Sequence, residues 1–420
     1  MLSGQIETVS AALDSRDVVL LATADWDHPF WTNKQHVAQT LAELGNRVLY
    51  VESVGLRAPR LEGQDVLRIW RRLRRGFRPP RRVAPRLWVW SPLLIPAAHA
   101  GWKRKLNQIL FSSGLSFWRC WLGLRADLFW TYNPLTGLLL KLPLKNYRQT
   151  VYHCVDDLTA QPCMPSALIA AEEEKLCRLS DQIFVTSPEL LRTRAVFNSS
   201  VLYYSNVADV SHFSSARNHD GPIPLDLAQL PNGPRLGFIG AISRYKLDLD
   251  LLAALADHRP DCQIVLIGRV GEGDPGTVLE PLLHCANVHH LGSKPYSQLP
   301  DYLRGLDVAL LPCPLNAYTR SMFPMKFFEY LAAGVPVVAT DLPALNEYQH
   351  LARLCGTAHD FLAAVDEVLL ARERGGSSSP CVSLDQLPEC CSYQARTRAM
   401  LLELRGRFVR TDAPEACEFL

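Results

Sequence analysis

The sequence predicts an α/β protein of two Rossmann-like, doubly wound domains facing each other across a cleft. Short apolar runs rich in β-branched residues alternate with stretches of helical periodicity, the pattern of a parallel sheet covered on both faces. The alternation occurs twice, and the two series are separated by a polar, Gly/Pro-marked stretch at 211–234. The length of 420 residues exceeds one ordinary core and suits two domains of about 200 residues each.

In the first series, 18–24 is a continuous apolar strand, followed by a loop at 25–32. A helix begins at about Asn33, with Val37, Leu41 and Leu44 at helical spacing and Gly45 as its stop. A second strand at 47–52 completes a β-α-β unit. Further strands are expected at 87–90, 128–131, 151–155 and 182–186. One or two helices fill 102–121, and others begin near Pro134, Ser166 and Pro188. The domain is left through 203–209, and 211–234 is expected to be a linker. The second series places strands at 236–240, 264–268, 288–291, 308–312 and 335–340, with helices from near Asp248, Tyr296, Pro324 and His359. A flexible break at 375–380 precedes a terminal helix over 393–407. The expected domains are therefore 1–210 and 235–390, joined by the linker and followed by a helix and tail at 391–420.

Hydrophobic residues make up 48% of the chain and charged residues 20%, the balance of a packed globular protein. No window of membrane-spanning length is free of charge and proline, and the most apolar stretch, 87–100, is broken by Pro92 and Pro96. The N-terminus shows no basic region leading into an apolar core, so a cytoplasmic location is expected. The cysteines are scattered without a Cys-x-x-Cys, which favours reduced thiols such as Cys154 and Cys262 in or beside strands. A net charge of +2 conceals an asymmetry: 57–105 holds fourteen Lys or Arg against Glu62 and Asp65. This segment interleaves Arg with Trp, Leu and Phe. Nothing else resembles a nucleic-acid module, and an anionic membrane surface on the inner face of the plasma membrane is the expected partner, with a solvated loop as the alternative.

The most informative stretch is 319–340, Thr-Arg-Ser-Met-Phe-Pro-Met-Lys-Phe-Phe-Glu-Tyr-Leu-Ala-Ala-Gly-Val-Pro-Val-Val-Ala-Thr. Pro324 permits a helix start, Gly334 and Pro336 end it, and a buried strand follows. Phe327, Phe328, Leu331 and Ala332 form the core face, which leaves Lys326 and Glu329 three residues apart near the first turn. A surface ion pair would explain them; a ligand carrying both phosphate and hydroxyls would explain them too. The spaced residues Pro324, Lys326, Glu329, Tyr330, Ala332, Gly334 and 336–340 resemble the nucleotide-sugar signature of glycosyltransferase family 4, also called glycosyl transferases group 1. Gly240-Ala-Ile-Ser-Arg-Tyr-Lys246 is similar to the first C-terminal-domain loop of that family. Trp31-Thr-Asn-Lys-Gln-His36 and Val151-Tyr-His-Cys-Val-Asp-Asp157 resemble a bacterial polysaccharide or teichuronic-acid branch.

The resemblance implies a GT-B fold and transfer of a sugar, with retention, from a nucleotide diphosphate sugar to a glycan or lipid-linked acceptor in envelope or exopolysaccharide synthesis. It also implies that Lys246, with Arg244 and Lys326, holds the donor diphosphate beyond Gly240, and that Glu329 accepts from the donor ribose; a solvated loop charge is the alternative for Arg244. A departing diphosphate needs fixed cations in a preorganised cleft. The family's Glu-x7-Glu pattern has Ser321 at its first position here, so Arg320 and the backbone of residues 322 and 323, Phe323 included, are expected to take that task. His153 is expected to orient an acceptor hydroxyl or line the sugar pocket, or else to be a satisfied strand-end histidine. Asp156 and Asp157 lie beside it, and Asp157 alternatively caps a helix. Asn33, Lys34 and His36 occupy a strand-to-helix turn suited to phosphate or acceptor groups, and capping explains Asn33 equally well.

Gly271-Glu-Gly-Asp-Pro-Gly276 matches a dinucleotide fingerprint but lacks the acid that should follow, so a turn is expected. Asp25-Trp-Asp27 and Asp248-Leu-Asp250 are chance matches to a metal-binding pair, with Asp248 an N-cap. No metal and no cofactor beyond the donor substrate are expected. The competing functions are a nucleotide-sugar epimerase of the same fold and a catalytically silent nucleotide-sugar-binding subunit.

Overall fold

A computed structural model of the chain describes residues 15–28, 31–52, 76, 78–95, 100–374, 382–388 and 391–411. Among the described residues the first domain has eight strands: β1 (Asp17–Leu21), β2 (Arg47–Val51), β3 (Arg81–Ala84), β4 (Leu87–Trp90), β5 (Leu128–Thr131), β6 (Gln149–Cys154), β7 (Gln182–Val185) and β8 (Val201–Tyr203). Their order across the sheet is β3, β4, β2, β1, β5, β6, β7, β8, and all pairings are parallel except that of β3 with β4. The second domain has β9 (Arg235–Ile239), β10 (Gln263–Ile267), β11 (Val288–Gly292), β12 (Val308–Leu311), β13 (Val337–Thr340) and β14 (Arg353–Cys355), in the order β11, β10, β9, β12, β13, β14.

In each sheet the chain winds one way and then the other from its first strand. The switch points are therefore β1/β5 in one domain and β9/β12 in the other. Ligands of open parallel sheets bind outside the carboxyl ends of strands at such points, which directs attention to the segments following these four strands.

Three strands escape the sequence reading. Both β8 and β14 have only three residues, too short for a period to declare itself. β3 is an edge strand with Arg81 and Arg82 exposed, and charged edges are how sheets discourage further pairing. The region 102–121 is a single helix, Gly101–Trp121. The stretch 375–380, expected to be a flexible break, lies outside the described residues.

The expected linker is folded. Phe213, Ala216 and Leu227 are buried in the core of the second domain. Arg217 Nε donates to Ala332 O at 2.8 Å, and its Nη2 donates to Leu331 O at 2.8 Å and Val382 O at 2.6 Å. Ala332 O and Leu331 O belong to the last turn of a helix, where carbonyls are short of internal partners, so a cation there adds to their bonding and complements the dipole, while Val382 O ties in a later segment. The capped helix is Lys326–Ala333, closed by Gly334 at φ 78°. Its Tyr330 hydroxyl lies between Ile239 N at 2.8 Å and Ile239 O at 3.2 Å, locking the helix to the end of β9. The terminal helix Tyr393–Thr411 crosses back to the first domain, where Tyr393, Met400, Leu401 and Leu404 pack with Val37 and Leu41.

At the carboxyl end of β10, Gly268 has φ 152°, and a Cβ there would lie 1.7 Å from Gly240 O. Gly268→Ala is expected to destabilise the second domain by about 3 kcal/mol or more, measured by urea unfolding of the full chain; a smaller loss would show that the β9 and β10 ends separate freely.

Candidate functional site

The segments leaving the two switch points face one another. From β9, the loop through Gly240 ends in Arg244, Tyr245 and Lys246. Lys246 Nζ lies 5.3 Å from the Tyr245 ring centroid and 5.5 Å from that of Tyr318, the latter carried by the segment after β12. An ammonium over aromatic faces is attracted by their quadrupoles, and the rings fix its direction. Among the described residues neither Lys246 nor Arg244 forms a salt bridge with an acid. Arg244 is exposed, and its backbone amide donates to Thr277 Oγ1 at 3.1 Å.

From the first domain, Lys34 sits 5.8 Å over the Tyr132 ring, just beyond β5. Burial lowers its pKa, the Lys246 charge lowers it further, and Asp156 opposes the shift. Two lysines from opposite domains thus feel each other across the cleft. Asp156 Oδ1 accepts from the Tyr318 hydroxyl at 3.0 Å, a bond between the domains. Asp157 caps the next short helix by accepting from Thr159 N at 3.1 Å. The supporting β6 is held from behind, where Glu173 Oε1 accepts from Tyr152 Oη at 2.6 Å and Glu173 Oε2 from Arg194 at 2.9 Å.

His153 is fully buried at the end of β6, stacked 4.7 Å from Tyr132. Neither ring nitrogen has a hydrogen-bond partner among the described residues, and Trp130 Nε1, Tyr132 Oη and Asn133 Nδ2 nearby also lack one. Desolvation, followed by the Arg396 and Lys34 charges, holds the His153 pKa well below its usual value, so the ring is neutral at physiological pH. Buried polar atoms are normally satisfied; a group of orphans in one place marks where a polar ligand or water belongs.

Lys326 Nζ and Glu329 Oε2 pair at 2.6 Å. This is no surface pair, because Glu329 is only 4% exposed. Desolvation raises its pKa and the Lys326 charge opposes that rise. The pair supplies an acceptor and a donor at the N-terminal turn of its helix, where the dipole favours anions.

Five of the expected residues make other contacts. Asn33 is buried, donating from Nδ2 to Asn206 Oδ1 and accepting at Oδ1 from Arg396, so its side chain is occupied by the joint between domains. The capping role belongs to Thr32, whose side chain and Gln35 form a capping box. Phe323 is a core ring among Phe327, Phe328 and Tyr348, and its carbonyl accepts from Asn206 Nδ2 at 2.7 Å. Ser321 is buried with its carbonyl bonded to Ser187 Oγ at 2.8 Å. Arg320 is exposed. His36 is stacked 4.2 Å from Tyr393, again in the joint. Of the metal-like pairs, Asp248 caps its helix by accepting from Leu251 N at 2.9 Å, and Asp27 pairs with Arg81 at 2.5 Å. The Gly271–Gly276 loop is a turn, with Asp274 N donating to Gly271 O.

Tyr318 and Asn206 were missed. Asn206 lies in a loop and Tyr318 in the one-turn helix Ala317–Arg320, and only the approach of the two domains makes each a bridge.

Residues 233–370 match the model of the family described as glycosyl transferases group 1. The second domain is thus similar to glycosyl transferases group 1. The chain is 29% identical over 265 residues to the putative teichuronic acid biosynthesis glycosyltransferase TuaH of Bacillus subtilis, an alignment covering 59% of this chain and 64% of that protein. The chain thus spans a little under two thirds of that relative. Among solved structures, α,α-trehalose 6-phosphate synthase from Burkholderia multivorans superposes with a TM-score of 0.63 at 12% identity, covering 95% of this chain and 100% of the other. The Anabaena protein HepE in complex with UDP-glucose gives 0.57 at 13% identity, with 94% and 98% covered. These structures show the fold, GT-B. The matched region contains Gly240, Arg244, Lys246, Lys326 and Glu329; His153, Lys34 and Asp156 lie outside it.

Burial lowers the His36 pKa from 6.5 to about 4. The unfolded chain then binds a proton that the folded protein refuses, so stability is full above pH 6.5 and falls as pH drops toward 4. His36→Gln is expected to reduce the slope of unfolding free energy against pH in that window by about 1.4 kcal/mol per unit. An unchanged slope would place the ring in water.

Proposed function

We propose that the protein transfers a sugar from a nucleotide diphosphate sugar to a glycan or lipid-linked acceptor. The observation that carries this is that Lys246 and Arg244, at the β9 switch point, form no salt bridge among the described residues, while the same domain holds the buried Lys326–Glu329 pair. Similarity to TuaH and to the fold of a protein solved with UDP-glucose supports it.

In this reading the donor diphosphate lies between the β9 loop and the Lys326 helix. The bond from the anomeric carbon to the β-phosphate oxygen breaks and its electron pair leaves with the diphosphate. The acceptor oxygen forms the new bond and releases its proton to the departing oxyanion or to solvent. Lys246, with Arg244 and Lys326, neutralises the developing charge from fixed positions, so little solvent has to reorganise. We assign that task to these side chains and not to a metal ion. Glu329 accepts from the ribose hydroxyls, for which it must exchange part of its bond to Lys326. His153, neutral and without a hydrogen-bond partner among the described residues, is assigned a hydrogen bond to a sugar or acceptor hydroxyl, which it makes without adding charge. Ser321, standing where the family carries a first Glu, keeps a silent donor-binding role as the second reading. Retention, an acceptor in envelope or exopolysaccharide synthesis, and work at the inner face of the plasma membrane belong to the same proposal.

Incubation with a panel of nucleotide sugars and acceptor extracts, scored by free nucleotide, tests the reaction. Turnover is expected with at least one donor, and binding without turnover in every combination would favour the silent role. Lys246→Ala is expected to lower kcat by about 100-fold or more, with a smaller effect on donor affinity. Glu329→Ala is expected to weaken donor binding by about ten- to hundredfold in calorimetry; unchanged affinity would remove Glu329 from the site.

A further inference from the structure

The helix Gly101–Trp121 has two apolar faces. Asn107, Phe111 and Leu115 point into the first domain, where Phe111 packs 5.8 Å from Trp90. The approach is close, since a Cβ on Gly114 would lie 2.9 Å from the Trp90 ring. That face is therefore committed. On the opposite face Trp102, Leu106, Ile109, Leu110, Phe117 and Trp121 recur at spacings of three, four and seven and share one side. They are exposed, Trp102 by 67%, Ile109 by 62%, Phe117 by 58% and Trp121 by 63%. Single exposed apolar residues are ordinary, whereas a contiguous stripe marks an interaction surface.

The charge on the helix selects the occupant. It carries Lys103, Arg104, Lys105 and Arg119 and no acid. Lys103 Nζ rests 5.8 Å from the Trp102 ring centroid, and Arg78 and Arg82 are exposed beside and on the edge strand β3. A tryptophan near each end, an aliphatic and aromatic centre and a basic margin are what a helix needs to lie in the interface of an anionic bilayer. At 21 residues the helix is about 30 Å long, yet among the described residues no helix is long and apolar enough to cross a membrane. The arrangement suits a helix lying in the surface plane.

We propose that this face of Gly101–Trp121 embeds in the headgroup region of a bilayer containing anionic phospholipid. A charged loop alone would only be attracted to the surface; the stripe adds insertion, so the protein is held in one orientation. The proposal goes beyond the glycosyl-transfer reading and does not depend on it.

Flotation of the full-length protein with equimolar phosphatidylcholine and phosphatidylglycerol vesicles, against phosphatidylcholine alone, tests it. Binding is expected to the anionic vesicles, with tryptophan emission quenched by acyl-chain-brominated lipid. The double variant Ile109→Ser/Phe117→Ser is expected to lower partitioning by roughly tenfold or more, and Lys103→Gln/Lys105→Gln to weaken it and flatten its salt dependence. Both should melt at the wild-type temperature and bind soluble donor as the wild type does, which separates failure of this proposal from failure of the donor-site reading. Three outcomes would overturn it. These are wild-type protein that ignores anionic vesicles, a serine variant that binds them undiminished, and a serine variant whose only change is loss of a concentration-dependent oligomer, which would assign the stripe to a second copy of the chain.

Discussion

The cleft exists because a buried guanidinium joins the parts that flank it. Arg396, 1% exposed, donates to Ser205 O at 2.9 Å and to Asn33 Oδ1, while Asn33 bonds Asn206 and Asn206 Nδ2 reaches Phe323 O. A buried charge is tolerated only with its hydrogen bonds made, so the terminal helix, the first helix, the crossover after β8 and the loop before the Lys326 helix must come together for any of them to be satisfied. His36 stacked on Tyr393 and Tyr296 stacked 4.5 Å from His212 continue the joint with aromatic contacts. Their apolar surroundings keep His36 neutral.

That joint sets how near the two switch points stand. The Ser187–Ser321 and Asp156–Tyr318 bonds cross the same gap, so the β12 segment is held by the first domain while its Tyr318 ring positions Lys246 of the second. The site is accordingly shared. Cations and the Glu329 carboxylate come mainly from the second domain, and the orphaned polar atoms around His153 come from the first. The unmatched charges on one side and unmatched hydrogen-bonding atoms on the other are complementary to a ligand with an anionic part and a hydroxylated part.

Much of this was legible in the chain. Gly334, the Lys326–Glu329 spacing and the strand at 337–340 are local features, set by backbone conformation and helical period within a few residues. The Asp248 and Asp157 caps were legible for the same reason. Asn33 was not, because capping, ligand binding and a domain joint all call for a small polar side chain at a strand-to-helix turn. The burial of the Phe323 ring and of Ser321 was not legible, because a motif names positions without saying which carry side chains inward for packing. The linker looked like one because polar and Gly/Pro-rich composition does not reveal that Arg217 caps a helix more than a hundred residues away.

By itself the sequence determined the α/β class, two largely parallel sheets, the helix with its paired charges and the likeness of the second domain to glycosyl transferases group 1. Each follows from periodicity or from residues close in the chain. Tertiary structure alone decided the strand order and hence the switch points, the burial that turns Lys326–Glu329 from a surface pair into a desolvated one, the opposition of Lys34 and Lys246, and the outward stripe on Gly101–Trp121. These depend on which surfaces meet. Desolvation and contact between distant segments are properties of the packed chain, and no local pattern encodes them.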